Sequence, residues 1–499
     1  VTNSALVTAM RYLSKHDDGF VVWLNGVQVA AEAAPANPGW NALATANRDE
    51  NLNNTWNYYP LTNGPALLVP GTNLLAIQGL NVTVNSSDLL IAPQLEFSYG
   101  ANPSNFFYLT TPTPGAGNTP GSTNIGPLVS AVTDRPAQPW GTPDSPLLAV
   151  TARVDTTLRP LAANGVKLAW RIMYDAESVT NMTAAGGGLY TVSVPTAALG
   201  PGQMLRWRVI ATDTAGYSNT APRFANALDN DQYYGTVALD PALTNSRLPA
   251  LHFFCNNFGA AASSGGTRCS LYHLGRFYDN VEVNLHGQTS STFPKKPYDF
   301  DFNDDNRFLL LEGEEKVKDV NMLTDYADKT KSRNTLAHET IAAVGSTHLL
   351  VSTVRVQTNG AFAGLWDLVE DGDNRWLERL GLNPNGALYK MYNFLNTTNA
   401  TAAEKKWPQD QDKGDLQAFI NGIHPAQPID DRRRFVYDNA DIPACISYLV
   451  ARSLISDEDH GHKNYYVYRD TGITDEWSLL PWDVDLSFGH NWTGTYFSD

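Results

Sequence analysis

The chain has 499 residues, a formal net charge of −16 and a 42% share of hydrophobic side chains. This length predicts about three domains. The negative charge argues against nucleic acid as a partner, because a phosphate backbone is bound by clustered lysine and arginine.

Residues 1–100 predict an all-β sandwich. The apolar run at 20–24 leads into Asn25-Gly26, a strong hairpin signal, and residues 27–30 return as the second strand. Charged side chains are sparse before residue 240, and this half is rich in Asn, Thr, Gly, Pro and Ala. Such a composition is common in extracellular β-domains.

The segments DDGFVVWLNG and PGTNLLAIQG resemble jelly-roll modules, related to galactose-binding folds, of large secreted bacterial proteins. The acids Asp17, Asp18 and Asp88 are candidates for binding calcium or a sugar. Capping of turns in a spacer domain is the alternative. A carbohydrate-binding function would depend on this region alone.

Residues 101–125 are rich in Pro, Gly, Ser and Thr and predict a linker. Residues 126–228 then predict a second all-β sandwich, with strands at 147–154, 166–172, 189–194 and 204–212. Trp170 and Trp207 fall in alternating patterns and are expected to pack between two sheets. The phrase WRVIATDTAGYSN resembles the late strands of immunoglobulin-like or fibronectin-type modules.

Residues 248–499 predict a third domain, with a strand at 280–285. The turn after it is small and rich in hydroxyl and backbone N–H groups, which suits it to lie over phosphates. Gly287, Ser290 and Ser291 are therefore candidate nucleotide-binding residues. Lys295 and Lys296 follow on or just before the next strand, and surface charge is the alternative interpretation of such a pair.

The stretch from Asp459 to Asp485 has the order of groups that phosphoryl transfer requires. Asp459 precedes Asn464 by five positions, and a β-hairpin then returns the chain beside that amide. Asp483 and Asp485 close the stretch. Asp459 is the candidate base for an attacking hydroxyl, while Asn464, Asp483 and Asp485 are candidate ligands of Mg²⁺ on a triphosphate.

The blocks DHGHKNYYVYRD and WSLLPWDVDLSFG resemble the signature of the spore-coat protein H (CotH) kinase family. VRVQTNGAFAGLWDLVED and GALYKMYN are similar to further blocks of that family, and the resemblance covers residues 275–490. It implies an α+β protein-kinase-like domain at 248–499 behind two all-β sandwiches. It also implies ATP and Mg²⁺ as cofactors, and a secreted or cell-surface location.

Within this resemblance, one lysine of the pair is expected to act as the ATP-binding strand lysine, and Lys296 is favoured over Lys295. Glu339, on a predicted helix, is the candidate partner acid of that lysine. Glu370 stands where a kinase chain crosses between lobes and would meet adenine, with a solvated strand end as the alternative. The family has an arginine where this chain has His286.

Family members continue further after the position of Asp485, so the domain is expected to be truncated here and the chain to be part of a larger polypeptide or assembly. The expected acceptor is a protein hydroxyl, on a substrate or on the chain itself. The alternative is a non-catalytic surface, matrix or adhesive protein that uses the kinase-like domain as a scaffold, with a glycan or surface polymer as partner. No transmembrane segment is predicted, because the apolar stretches are short.

Two further features leave alternatives open. His460 and His462 beside Asp459 would suit zinc, but no further ligand pattern accompanies them. Cys255 and Cys269 flank a Gly/Ser/Ala-rich loop and would close it as a disulfide in an oxidising compartment.

Overall fold

The computed structural model describes residue 4 and residues 7–48, 56–86, 89–99, 124–133, 147–223, 232–324, 326, 328–410 and 412–490. The chain divides into two compact units, Val1–Asn124 and Ile125–Asp499. It is a mostly β multidomain protein with several sheets and a few helices. None of the described helices is long and apolar enough to cross a membrane.

The first unit consists of two three-stranded antiparallel sheets, ordered β4-β1-β6 and β3-β2-β5. Its elements are β1 (Val7–His16), β2 (Gly19–Leu24), β3 (Val27–Glu32), β4 (Asn57–Pro60), β5 (Leu75–Leu80), β6 (Ile91–Tyr99) and a short helix α1 (Gly64–Leu67). Tyr12 and Phe20 meet in a shared apolar core. Asn25 and Gly26 both have positive φ and join β2 to β3, which confirms the predicted hairpin.

Asp18 braces the loops of this unit. Its carboxylate accepts hydrogen bonds from the backbone N–H of Arg48 (3.1 Å) and of Val82 (2.7 Å). The calcium or sugar role predicted for Asp17, Asp18 and Asp88 stays a prediction, and Asp88 lies outside the described residues. The predicted linker lies almost wholly outside them too.

The second unit begins with two antiparallel sheets around one apolar core, in which Trp207 is fully buried. One sheet has the order β10-β9-β13-β14 with β15 also on β13, and the other has the order β11-β12-β8-β7. The strands are β7 (Leu128–Thr133), β8 (Leu147–Asp155), β9 (Leu161–Ile172), β10 (Ser178–Asn181), β11 (Thr183–Gly186), β12 (Leu189–Pro195), β13 (Met204–Asp213), β14 (Ser218–Ala221) and β15 (Tyr234–Val237). The four strands predicted from alternation are therefore present, each within a few residues of its predicted bounds.

A closed barrel follows, ordered β16-β17-β18-β19-β20-β22-β21. Its elements are β16 (Ala250–Cys255), β17 (Thr267–His273), β18 (Arg276–Leu285), β19 (Tyr298–Asp301), β20 (Asp319–Leu323), β21 (Val351–Thr358) and β22 (Ala361–Glu370), with helices α2 (Phe258–Ala261) and α3 (Arg333–Ala343) and 3-10 turns at Pro241–Leu243 and Ser290–Thr292. Asp328 fixes the start of α3, because its carboxylate accepts the backbone N–H groups of Ser332 and Arg333, each at 3.0 Å.

The last part is a four-stranded antiparallel sheet, ordered β24-β23-β25-β26, packed with helices. Its elements are β23 (Ala387–Met391), β24 (Glu404–Trp407), β25 (Tyr465–Arg469), β26 (Trp477–Pro481), α4 (Asn374–Arg379), α5 (Gly414–Ile423), α6 (Ile429–Asn439), α7 (Ile442–Leu454) and a 3-10 turn at Ala400–Ala402. In the predicted hairpin, Tyr465 lies opposite Pro481. The residues just before β25 and just after β26 are thereby brought side by side.

Cys255 and Cys269 lie directly opposite each other on β16 and β17, and both are free, buried thiols. Asn359 bonds the backbone of Cys255 on both sides, donating to its carbonyl at 2.9 Å and accepting from its N–H at 3.0 Å. The pair is therefore adjacent, as a disulfide would need, but it is not bridged.

The buried His338 of α3 predicts a loss of stability in mild acid. Its Nδ1 accepts the backbone N–H of Leu349 at 3.3 Å, and burial, reinforced by the charge of Arg452, lowers its pKa to about 3. Below pH 6.5, the approximate pKa of histidine in the unfolded chain, His338 is protonated in the unfolded chain but stays neutral in the native one. Stability is therefore lost from about pH 6.5 downward, by about 2 kcal/mol at pH 5 for this one group.

Denaturant unfolding of His338→Gln at pH 7 and pH 5 tests this expectation, because glutamine keeps the acceptor and cannot titrate. The decrease in unfolding free energy between the two pH values should be about 2 kcal/mol smaller than in wild type. His424→Gln, at a partly exposed turn, is the matched control and should keep the wild-type decrease. An equal decrease in His338→Gln and wild type would contradict the assignment.

Candidate functional site

A cavity of about 380 Å³ lies between the barrel and the four-stranded sheet. This volume is in the range of small-molecule sites. Five of the residues predicted from the sequence line it: Gly287, Ser290, Asn464, Asp483 and Asp485. The structure thus brings the predicted phosphate turn and the predicted metal ligands to one place.

The turn after β18 forms one wall. Gly287 has φ +79°, and a Cβ at this position would stand 2.1 Å from Oγ of Ser290, so the turn requires glycine here. Ser290 starts a 3-10 turn and faces the cavity. Ser291 instead donates from Oγ to the carbonyl of Gln288 at 2.5 Å, so its hydroxyl is used inside the turn.

The structure places the lysine pair differently from the prediction. Nζ of Lys296 donates to the carbonyl of Ser291 at 2.8 Å, which braces the turn. Nζ of Lys295 donates to the carbonyls of Thr324 (2.8 Å) and Leu365 and lies over the ring of Trp366. Both ammonium groups therefore tie the turn to the barrel, and neither residue lines the cavity.

Two strands, β19 and β20, follow the lysine pair before helix α3. The residues of these strands that line the cavity include Asp299 and Asn321, which lie opposite each other. Both strands thus present polar side chains to the cavity, whereas the predicted lysine pair, just before β19, does not line it.

The two predicted glutamates lie outside the cavity wall. Glu339 is on the exposed face of α3, and among the described residues no ion pair joins it to Lys296. Glu370 is buried and bonded to Arg379 at 2.6 Å and to the backbone N–H of Leu350 at 3.0 Å. Burial nevertheless raises the pKa of Glu370, with Arg379 opposing the shift. Its side chain thus holds α4 to the barrel.

The next residue, Asp371, is buried and lines the cavity. Its carboxylate accepts hydrogen bonds from Nζ of Lys406 (2.5 Å), Nδ2 of Asn321 (3.2 Å) and the hydroxyl of Tyr466 (3.4 Å). Burial alone would raise its pKa, but the charges of Lys406 and Lys390 outweigh burial and hold the pKa at about 2. Asp371 is therefore a fixed carboxylate.

Lys390 is a buried cation on β23 that faces this cavity. Its Nζ lies 4.0 Å from the centroid of the Trp482 ring, and burial lowers its pKa although Asp371 opposes this. Within the described part of the chain, no hydrogen bond or ion pair ends on this Nζ. Beside it, burial and the same lysine lower the pKa of His286 to about 3, so the imidazole is neutral.

Asp299 also lines the cavity, and the charge of nearby Asp371 affects its pKa. Burial, followed by the negative charge of Asp371, raises its pKa to about 7. This part of the cavity wall thus combines two lysines, Lys390 and Lys406, with the carboxyl groups of Asp371 and Asp299.

The loop before β25 is organised by Arg452 of α7. Its guanidinium is buried and donates to the carboxylate of Asp457 and to the carbonyls of Asn464 and Trp482, the last at 3.1 Å. Asp457 in turn accepts the backbone N–H of Asp459 at 3.2 Å. One buried cation therefore connects both ends of the hairpin to the predicted catalytic loop.

Asp459 is buried directly behind Asn464. Its Oδ2 accepts the side-chain amide of Asn464 at 2.8 Å, and its carboxylate lies 3.7 Å from Nζ of Lys463 and from Nε2 of His462. Asn464 lines the cavity and Asp459 does not, so Asp459 is connected to the cavity by its hydrogen bond with the Asn464 side chain. His460 bonds to the backbone of Asp457.

Asp483 and Asp485 follow β26 and face the cavity beside Asn464. Burial and the charge of Asp459 raise the pKa of Asp483, and burial and the charge of Asp483 raise the pKa of Asp485. Among the described residues, no three His, Cys, Asp or Glu side chains are already arranged around one point as for a metal. Two carboxylates and an amide still fit Mg²⁺, which takes one or two protein carboxylates and completes its shell with water and phosphate.

Four site residues escaped the sequence analysis: Asp371, Lys390, Lys406 and Arg452. Lys390 had a readable signal, since it interrupts an apolar strand in GALYKMYN. The others become recognisable only when the sheet and the helices are in place.

Residues 283–499 match the family described as CotH kinase protein. No curated protein matches the chain. Among solved structures, a β-D-glucuronidase from Dictyoglomus thermophilum is 7% identical, with 46% of this chain and 36% of that chain covered and a TM-score of 0.12. A 1.5-MDa bacterial ice-binding adhesin is 12% identical, with 58% and 79% covered and a TM-score of 0.14. The family match supports a CotH-type domain over residues 283–499.

Proposed function

We propose that the CotH-type domain is an atypical protein kinase that binds Mg²⁺ with ATP and transfers the terminal phosphoryl group to a protein hydroxyl. One observation carries the proposal. Asn464, Asp483 and Asp485 line the same cavity as the Gly287–Ser290 turn and the buried cation of Lys390. These are the groups needed to hold a metal–triphosphate, and they come from parts of the chain that are far apart.

In this proposal Asn464 and Asp483 hold the metal, and Asp485 is a second ligand or supports the first two. A bound Mg²⁺ would supply charge neutralisation on the phosphate oxygens. Lys390, without an ion-pair partner among the described residues, is the side chain that meets the phosphates, in place of the lysine pair. The N–H groups of the Gly287–Ser290 turn cover them from the other side.

Asp459 would accept the proton of the attacking hydroxyl. Its Oδ2 accepts the side-chain amide of Asn464, and Nζ of Lys463 lies 3.7 Å away. Catalysis would come mainly from positioning and from the charges around the phosphates, as expected for phosphoryl transfer.

The two β-rich regions before the barrel, β1–β6 and β7–β15, support a secreted or cell-surface protein. We assign them as jelly-roll and immunoglobulin-like modules on the phrases quoted above, with calcium or a glycan as candidate ligands. The protein acceptor of the phosphoryl group, or a surface polymer, would then be found outside the cell.

A second candidate is an inert scaffold within a surface structural or adhesive protein. One observation favours it: both lysines of the predicted pair donate to backbone carbonyls, and neither lines the cavity. Such a protein would keep the fold and lose nucleotide binding.

Magnesium-dependent ATP binding by the purified chain separates the two. We expect calorimetry to show binding with Mg²⁺ and little binding with EDTA, and Asp483→Asn to weaken the magnesium-dependent part by at least about 100-fold. Asp475→Asn, an exposed acid in the same hairpin, is the matched control and should bind as wild type does. Binding that ignores both Mg²⁺ and Asp483, or no binding, would favour the scaffold.

A further inference from the structure

Two aromatic side chains form a stacked pair in the wall of the cavity. The ring centroids of Phe293 and Tyr326 are 4.6 Å apart with an interplanar angle of 26°, and both residues line the cavity. Tyr326 is 48% exposed, so part of its ring faces open space. An exposed ring next to an existing stack is a surface on which a further flat group can lie.

The pair is held by bonds from both sides. Phe293 directly follows the turn at Ser290–Thr292, and Lys295 from the same segment donates to the carbonyl of Thr324 at 2.8 Å. The backbone N–H of Tyr326 donates to Oγ1 of Thr324 at 3.3 Å. Lys295 thus ties the segment of one ring to the segment of the other, so the platform is pre-formed.

The buried part of the wall around Asp371 is a poor place for a nucleobase. It is separate from the aromatic pair, because Asn321, which donates to Asp371, lies within β20, whereas Tyr326 follows the end of that strand. Asp371 is bonded to Lys406, Asn321 and Tyr466, and a base inserted there would have to displace these bonds or strip water from buried charges. A base needs flat apolar surface, and the groups around Asp371 are an ion pair and hydrogen bonds.

Of the tyrosine rings in the wall, Tyr326 is 48% exposed and already stacked, whereas Tyr392 is 38% exposed and donates its hydroxyl to Glu404. With the phosphates at Lys390 and Asp483, the stacked pair is therefore the flat surface that best suits a base.

We infer that the nucleobase of the bound triphosphate stacks on Phe293 and Tyr326, beyond the end of β20 and away from the crossover at Asp371. This inference depends on the proposed kinase function. Stacking recognises the face of a ring, which every base possesses, rather than its hydrogen-bonding edge. The site would therefore accept purine and pyrimidine nucleoside triphosphates with similar affinity.

Titration of Tyr326→Ala with Mg²⁺–ATP and with Mg²⁺–tripolyphosphate, which lacks base and sugar, tests the inference. ATP affinity should fall by about 5- to 150-fold, the range that corresponds to base–aromatic stacking, and tripolyphosphate affinity should stay as in wild type. Tyr326→Phe keeps the ring and should bind ATP as wild type does. Tyr437→Ala, an exposed tyrosine of α6, is the matched surface control.

Each other outcome overturns the inference. Equal ATP affinity in Tyr326→Ala and wild type would show that the base does not stack on Tyr326, and the kinase proposal would be unaffected. An effect confined to the acceptor KM would have the same meaning. Equal losses for ATP and tripolyphosphate would mean that the variant damages the phosphate site. If wild type binds neither compound, the kinase proposal and the inference fail together. Unchanged circular dichroism in Tyr326→Ala is required before its affinity is compared.

Discussion

Asp459→Asn is expected to lower phosphoryl transfer by about 10²- to 10⁴-fold while Mg²⁺–ATP affinity stays near the wild-type value. The reason is that proton transfer and metal binding are assigned to different residues. Asp459 lies behind Asn464 and is assigned to the acceptor proton, whereas Asn464 and Asp483 are assigned to the metal. Asparagine keeps an oxygen that can accept the amide of Asn464, so the loop should keep its shape.

The measurement is single-turnover transfer of labelled phosphate from ATP, to the chain itself or to an added protein acceptor. Glu458→Gln is the matched control, because Glu458 is the neighbouring acid and its side chain is exposed. It should transfer phosphate at the wild-type rate. Wild-type transfer by Asp459→Asn would remove Asp459 from the base role, and a parallel loss of ATP binding would mean that the substitution disturbed the metal site instead.

The part of the site that the sequence predicted correctly in space is the part carried by one hairpin. Asn464 precedes β25 and Asp483 follows β26, so antiparallel pairing alone places them together. Local turn chemistry likewise predicted the Gly287 turn. These inferences need only short-range pairing, which side-chain alternation and turn residues specify.

The cation could not be predicted in this way. The lysine pair lies just before β19, where it was predicted, but backbone carbonyls accept hydrogen bonds from both ammonium groups and neither residue lines the cavity. Lys390 and Lys406 line the cavity from a different sheet, and Asp371, which pairs with Lys406, comes from the crossover after β22. Ion pairs between such distant segments have no local signature, since only the packed sheets bring them into contact.

The same limit applies to fold class. Alternation predicted many strands and hence the β-rich modules, but it could not show that the seven strands after residue 250 close into a barrel. Closure depends on the parallel pairing of β16 with β21, which joins segments about a hundred positions apart. The sequence of neither strand indicates which strand it pairs with.

Arg452→Met should destabilise the domain by about 3–5 kcal/mol, because it leaves the buried carboxylate of Asp457 without its partner. Arg452 is 1% exposed and also bonds the carbonyls of Asn464 and Trp482, so the loop and the end of the hairpin lose a common anchor. The measurement is denaturant unfolding, with Arg433→Met as control, since Arg433 forms an ion pair that is exposed on both sides. That control should change stability by less than about 1 kcal/mol.

A second variant distinguishes an unpaired charge from lost packing. In the double variant Arg452→Met with Asp457→Leu no carboxylate is left buried, so a large part of the lost stability should return. The restored stability should not restore nucleotide binding, because the carbonyl of Asn464 still lacks the guanidinium that fixes the loop. A double variant as unstable as the single one would show that Arg452 acts through packing, and one that binds Mg²⁺–ATP normally would show that the loop holds its shape without it.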